Sequence, residues 1–316
     1  MKLYRLLVFI SAASATLLSG CNRAEKSATA DARVPTKPTI AFVMKTLNHP
    51  FFIDMQKGAD EAAQKLGVTV LVQAAEREID VERQMQIIEN LIQRKVSALC
   101  IAPSGSREIV PVIVKANQAG IPVLIVDTRV DAKALTAAGG KIATFIGSDN
   151  YDGGKIAGAF VVEKLGGKGN LAILEGIPGH ETGDARLRGF RESIAKAPGL
   201  KVVASQPANW ERDLGFNVFQ NILQAHPEVN AVFACSDLMA LGAIEAIAAA
   251  GKTGKILVVG FDALPEARAA GKKGTMAATV AQFPQRMGST AIENAVKLLA
   301  GEKIPEFTPV AIELVK

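Results

Sequence analysis

Polar side chains stand at the ends of several apolar runs, and their types suit holding a ligand better than transforming one. The run 256–261 delivers Asp262, and a second run, 275–281, delivers Gln282. VLIVD ends on Asp127, ATFIGSDN on Asp149 and Asn150, VFACSD on Ser236 and Asp237, and LCIAPSG on Ser104. In an open α/β sheet, polar groups at the carboxyl ends of strands line the crevice where ligands bind. Carboxylates, amides and hydroxyls gathered in this way donate and accept hydrogen bonds, and none of them is an activated nucleophile. Taken singly, Asp262 reads equally well as the cap of a following helix. The repetition of the pattern along the chain favours a shared site.

Motifs for covalent or cofactor chemistry are missing from the sequence. GGKIAG at 153–158 and GGKGN at 166–170 do not match GxGxxG, and nothing matches GxxxxGK[ST] or GxSxG. His49, His180 and His226 lack HExxH or paired metal spacing. No cofactor, no metal and no enzymatic turnover are expected.

The elements that must position these side chains alternate regularly. Strand-like runs fall at 39–44, 68–73, 96–102, 121–127 and 142–146, and again at 171–174, 201–205, 231–234, 256–261 and 275–281. Amphipathic helices are expected at 52–66, 79–93, 109–119, 152–165, 184–195, 211–225, 238–250, just after Pro265, and at 284–299. Over 79–93, Val81, Met85, Ile88 and Ile92 recur at helical spacing and predict one buried face, with Met85 in the core. A last extended run covers 308–314. Continuous Val- and Ile-rich strands belong to a parallel sheet covered on both faces. Two βα series of similar length predict an α/β protein of two doubly wound parallel-sheet lobes.

Residues 1–20 carry Lys2 and Arg5, then an apolar segment, then small residues before Cys21. That is the pattern of an export signal. Leu18, Ser19, Gly20 and Cys21 resemble a bacterial lipobox, which implies a lipid on the Cys21 thiol, and Asn22 resembles an outer-membrane sorting choice. Residues 21–38 read as a flexible tether. Without Lys2 and Arg5, 34 basic residues face 31 acidic ones. The resulting charge is ordinary for a soluble domain and argues against nucleic acid as a partner. Cys100 and Cys235 lie in apolar runs and read as buried, unreactive thiols in different lobes.

TLNHPFF (46–52), SDNYDGG (148–154), ASQPANW (204–210), SDLMALGA (236–243), VVGFD (258–262) and TVAQFP (279–284) together resemble the periplasmic sugar-binding proteins of the ribose, galactose and allose type. KTLNHPFF, AAGGKIATF and AAGKTGKILVVG are more similar to the allose binders than to the ribose binders. The resemblance, over 39–316, implies two lobes joined by a three-segment hinge. It gives 39–148 plus 282–310 to the N-terminal lobe and 149–281 plus 311–316 to the other. It also implies a monosaccharide between them, contacted by Lys45, His49, Phe51, Phe52, Asp127, Thr128, Arg186, Trp210, Ser236, Asp262 and Gln282. Ribose binders have serine and asparagine at Lys45 and His49, arginine at Thr128 and asparagine at Ser236. Lysine at the first of these positions is the allose-like choice, whereas His49 and Ser236 depart from both.

Independently of the resemblance, these residue types fit a sugar. Phe51, Phe52 and Trp210 offer flat surface for C–H faces, and the charged and amide groups can engage a rim of hydroxyls. The implied partners are an inner-membrane ABC permease and its ATPase, with a chemosensory receptor as the alternative, and the implied state is a lipid-anchored monomer in the periplasm. A transcriptional repressor sharing the fold would carry a DNA-binding domain where this chain has an export signal. A sugar-active enzyme would need a base that the sequence does not offer.

Overall fold

The computed structural model describes residues 37–316. The expected signal peptide, Cys21 and nearly all of the 21–38 tether lie outside the described residues.

The first series runs β1 (Thr39–Thr46), α1 (Pro50–Leu66), β2 (Thr69–Ala75), α2 (Val81–Gln93), β3 (Ala98–Ile101), α3 (Val110–Gln118), β4 (Val123–Val126), α4 (Ala132–Ala137) and β5 (Thr144–Gly147). The second runs α5 (Asn150–Lys164), β6 (Lys168–Glu175), α6 (Glu181–Ala195), β7 (Gly199–Pro207), α7 (Arg212–Ala225), β8 (Ala231–Ala234), α8 (Asp237–Ala249), β9 (Leu257–Asp262), α9 (Pro265–Lys272) and β10 (Ala278–Ala281). Helix α10 (Pro284–Leu299) and strands β11 (Phe307–Pro309) and β12 (Glu313–Val315) follow. Strands β3, β4, β5, β8 and β10 are buried at every residue, as expected of sheets with helices on both faces.

One sheet has the order β11-β5-β4-β3-β1-β2 and the other β12-β10-β9-β8-β6-β7. All pairings are parallel except β10 with β12. In each sheet the winding reverses beside the first strand, between β1 and β3 and between β6 and β8, and such switch points are where a doubly wound sheet opens a crevice. The chain passes between the sheets three times, after β5, between β10 and α10, and between β11 and β12. Helix α10 packs on α1 and on β3, β4 and β5, so it belongs with the first sheet although it follows the last parallel strand of the second.

Three details depart from the sequence reading. The extended run 308–314 is two strands, with β11 beside β5 and β12 beside β10; an apolar pattern reports extension but not the identity of the partner strand. Helix α4 was not anticipated; Asp131 caps it, accepting from the Ala134 amide. The buried face of α2 centres on Gln84, Ile87, Ile88 and Leu91, with Val81, Met85 and Ile92 half-buried at its margins. Gln84 can be buried because its amide is fully engaged. Its Nε2 donates to the carbonyls of Met44 (3.1 Å) and Ala102 (2.9 Å), and its Oε1 accepts from the Ser104 amide (2.8 Å). One side chain thereby joins α2 to the carboxyl ends of β1 and β3, next to Lys45.

The helices α5 and α6 approach so closely that no side chain fits between them at two glycines. A Cβ on Gly154 would lie 2.1 Å from the Arg186 carbonyl oxygen, and one on Gly189 would lie 1.9 Å from that of Tyr151. This approach sets the position of Arg186 on α6. Cys100, within β3, and Cys235, just after β8, are buried free thiols, and burial pushes both up to about 12.

Candidate ligand-binding site

The carboxyl ends of the two sheets face each other across a chamber between the lobes. Its walls are Lys45, His49, Phe51, Phe52, Glu78 and Asp127 from the first lobe, Thr182, Arg186, Trp210, Ser236 and Asp262 from the second, and Gln282 at a crossing. All but Glu78 are more than nine-tenths buried, so the lobes are closed over the chamber.

Each wall residue is held by a nameable local cause. Lys45 is the penultimate residue of β1, where the strand's hydrogen-bond register shifts. His49 caps α1, its Nδ1 accepting from the Phe51 amide at 3.1 Å. That bond leaves the ring proton on Nε2, free to donate. Burial lowers the pKa of His49, so the ring is neutral at pH 7. The Pro50–Phe51–Phe52 turn sets the two phenyl rings edge to face, 5.3 Å apart. Ser236 caps α8, accepting from the Met239 amide at 3.5 Å.

Charges are paired across the walls. The Lys45 ammonium lies 3.3 Å from Asp127 and 3.6 Å from Glu78. Arg186 lies 3.6 Å from Asp262, donates through Nε to Asn150 Oδ1 (2.9 Å) and through a terminal nitrogen to the Cys235 carbonyl (2.6 Å), and stacks 3.7 Å over Phe261. Gln282 Nε2 donates to Asp262 at 2.8 Å. Burial raises the carboxyl pKa of Asp262, and Arg186 opposes the shift; burial raises that of Glu78, and Lys45 opposes it. Two buried polar atoms of the walls, Trp210 Nε1 and Gln282 Oε1, have no partner among the described residues. Groups of that kind are costly unless a ligand or water engages them.

Backbone strain concentrates at the same place. Asp127 (φ 65°), Asn209 (51°), Trp210 (69°), Asp262 (116°) and Ala263 (53°) all adopt left-handed conformations, and among the described residues only Lys95 does so elsewhere without being glycine. Such conformations cost of order 1–3 kcal/mol each and persist where the surroundings over-determine them.

The chamber gathers ten of the eleven residues expected at the ligand. Thr128 is the exception. It is fully buried, and its single hydroxyl proton goes to Asp127 Oδ2 (2.9 Å), so the 2.8 Å contact with Thr182 across the lobes has Thr182 as donor. Of the other strand-end residues, Asp149 caps α5. Asp237 turns inward to accept from Thr279 Oγ1 (2.7 Å) and the Leu264 amide (2.8 Å), and Ser104 does not reach the chamber. Glu78 and Thr182 were missed. Glu78 sits in EREID, a charged loop like any surface loop, and Thr182 opens a helix with nothing to single it out. Among the described residues, no cluster of His, Cys, Asp and Glu is placed to hold a metal.

Two doubly wound lobes, three crossings and a polar chamber between the sheets define a two-lobe α/β binding protein. The chain belongs to the periplasmic binding protein family, whose domain profile matches residues 40–303, and within it to the sugar-binding proteins of the ribose, allose and galactose type. It is 40% identical to the D-allose-binding periplasmic protein of Escherichia coli over 84% of this chain and 88% of that one. It is also 40% identical to the ribose import binding protein of the same organism, over 92% of this chain and 94% of the relative. A solute-binding protein of an ABC transporter from Actinobacillus succinogenes, solved with bound D-allose, superposes with a TM-score of 0.83 at 42% identity, covering 88% of this chain and 97% of that one.

Proposed function

We propose that this protein is the substrate-binding lipoprotein of an ABC-type sugar importer, taking one monosaccharide into the chamber between its lobes and presenting it to an inner-membrane permease and its ATPase. The observation that carries the reading is the chamber itself: aromatic faces, paired opposite charges and unpartnered donors and acceptors in one enclosed space. A sugar offers apolar C–H faces and hydroxyls that each donate and accept, which answers every kind of group in the walls. Nothing in the walls is arranged as a nucleophile with its base. Residues 39–148 with 282–310 are taken to move as one lobe against 149–281 with 311–316, and binding shifts an open–closed equilibrium.

A hexose of the allose or psicose kind is the favoured ligand. Lys45 reaches farther than serine and carries three donors, suiting a hydroxyl that a five-carbon sugar does not present there. A thermal-shift screen of aldoses, ketoses and polyols tests the class, because a ligand of the folded state raises its melting temperature. No shift with any sugar would remove the reading. Calorimetry then tests the choice of sugar. K45A should weaken D-allose or D-psicose by roughly 1–3 kcal/mol and D-ribose much less; tighter binding of ribose by the wild type would refute the hexose preference. Anchoring through Cys21 predicts that the wild type partitions into detergent and C21A does not.

A further inference from the structure

Glu78 is, with Thr182, one of two wall residues that the sequence does not single out, and its surroundings give it more to do than balance charge. It lies in the loop between β2 and α2, and its side chain is only 12% exposed. The Lys45 ammonium already has a counter-ion in Asp127 at 3.3 Å, yet Glu78 brings a second carboxylate to within 3.6 Å of the same nitrogen. Burying an extra carboxylate is unfavourable unless donors reach it. Both distances exceed those of good hydrogen bonds, so the ammonium protons are only loosely committed. Glu78 also lines a second, more open cavity at the lobe seam, together with His49 and Trp210, which are likewise shared by both spaces. It therefore stands on the partition between the chamber and the outer cavity.

Resting on the sugar reading above, we propose that Glu78 is a specificity-determining residue, its carboxylate and the Lys45 ammonium together taking one ligand hydroxyl between them. A hydroxyl suits the pair because it accepts from the ammonium and donates to the carboxylate at the same time. An ether, a methyl group or a hydrogen at that place leaves the carboxylate with the Lys45 ammonium at 3.6 Å as its donor and no hydroxyl to add to it. The pair therefore selects a sugar bearing a hydroxyl on the side facing the outer cavity.

The experiment is calorimetry of wild type, E78Q and E78A with D-allose, D-ribose and the 2-, 3-, 4- and 6-deoxy derivatives of D-allose. One deoxy sugar should bind wild type roughly ten-fold or more weaker than D-allose. E78A should bind D-allose weaker by a similar factor, and the penalty for that one deoxy sugar should vanish in it. E78Q, which keeps the shape but not the charge, should fall between. Melting temperatures of the ligand-free variants report folding, and E78Q carries the test if E78A does not fold. A purely structural role would weaken all the sugars alike, leave the deoxy penalty intact and overturn the proposal, as would unchanged binding of D-allose by both variants. Binding of D-ribose without D-allose would overturn it and leave the sugar reading standing, whereas no binding of any sugar by the wild type would remove both.

Discussion

Trp210 concentrates several features of the site in one residue. Its backbone is left-handed, its indole is buried against Gly176 and its Nε1 has no partner among the described residues. The indole is packed so closely that a Cβ on Gly176 would lie 2.0 Å from its Cζ2, so the ring plane is set before any ligand arrives. Stacking on a sugar predicts that W210A weakens binding by roughly 1–3 kcal/mol while the fold persists. Ligand should also change the emission of this single tryptophan; unchanged fluorescence with unchanged affinity in the variant would place the ring outside the contact. Trp210 was legible in the sequence because an aromatic in the polar setting NWER needs a reason. Glu78 was not, because a carboxylate in a charged loop looks the same whether it faces water or a chamber. Asp237 misled in the opposite direction: it ends an apolar run as Asp262 does, yet its oxygens bond to Thr279 and Leu264 instead. A strand end fixes where a residue sits, and the register of the next turn decides which way its side chain points.

Among the elements, the α5–α6 pair governs the site most directly. Arg186 projects from α6 towards Asp262 and Asn150, and the helix is held at its height by glycine contacts with α5. Because Gly189 meets backbone instead of a yielding side chain, G189A should separate the helices, destabilise the protein by about 1–3 kcal/mol or more, and displace Arg186. Thermal unfolding and ligand titration of the same sample check both effects; a variant with unchanged melting temperature and affinity would contradict the close packing. Helix and strand identities were largely readable from period and from breakers such as Gly67, whose φ of 67° ends α1. The splitting of 308–314 was not, since both halves are extended and only their partner strands differ.

At the scale of the whole molecule, closure is made by contacts that exist only while the lobes meet. Arg77 pairs with Glu211 at 2.7 Å, the Glu181 amide donates to Ser106 Oγ at 3.1 Å, and Thr182 meets Thr128. The ion pair is exposed and contributes little. His180, at the start of α6, is buried in this seam within the influence of Lys45, Asp127 and the Ser104 backbone of the other lobe. Burial pushes its imidazole from 6.5 down to about 4. An open form in which it regains water would return it towards its ordinary value. Between those two values the open form holds a proton that the closed form rejects. Affinity should therefore fall as pH drops through 6.5, by up to roughly ten-fold per unit, and this contribution should level off below about 4. Calorimetry from pH 7.5 to 4.5 should show a shallower fall in H180Q than in wild type; parallel curves would exclude His180. The three crossings also have a consequence for biosynthesis. The first sheet is not finished when its first five strands have been made, because α10, which covers β3, β4 and β5, and β11, which extends its edge, come from the far end of the chain. The lobe that emerges first from the ribosome therefore cannot complete its core until residues 284–309, from the far end of the chain, have been made.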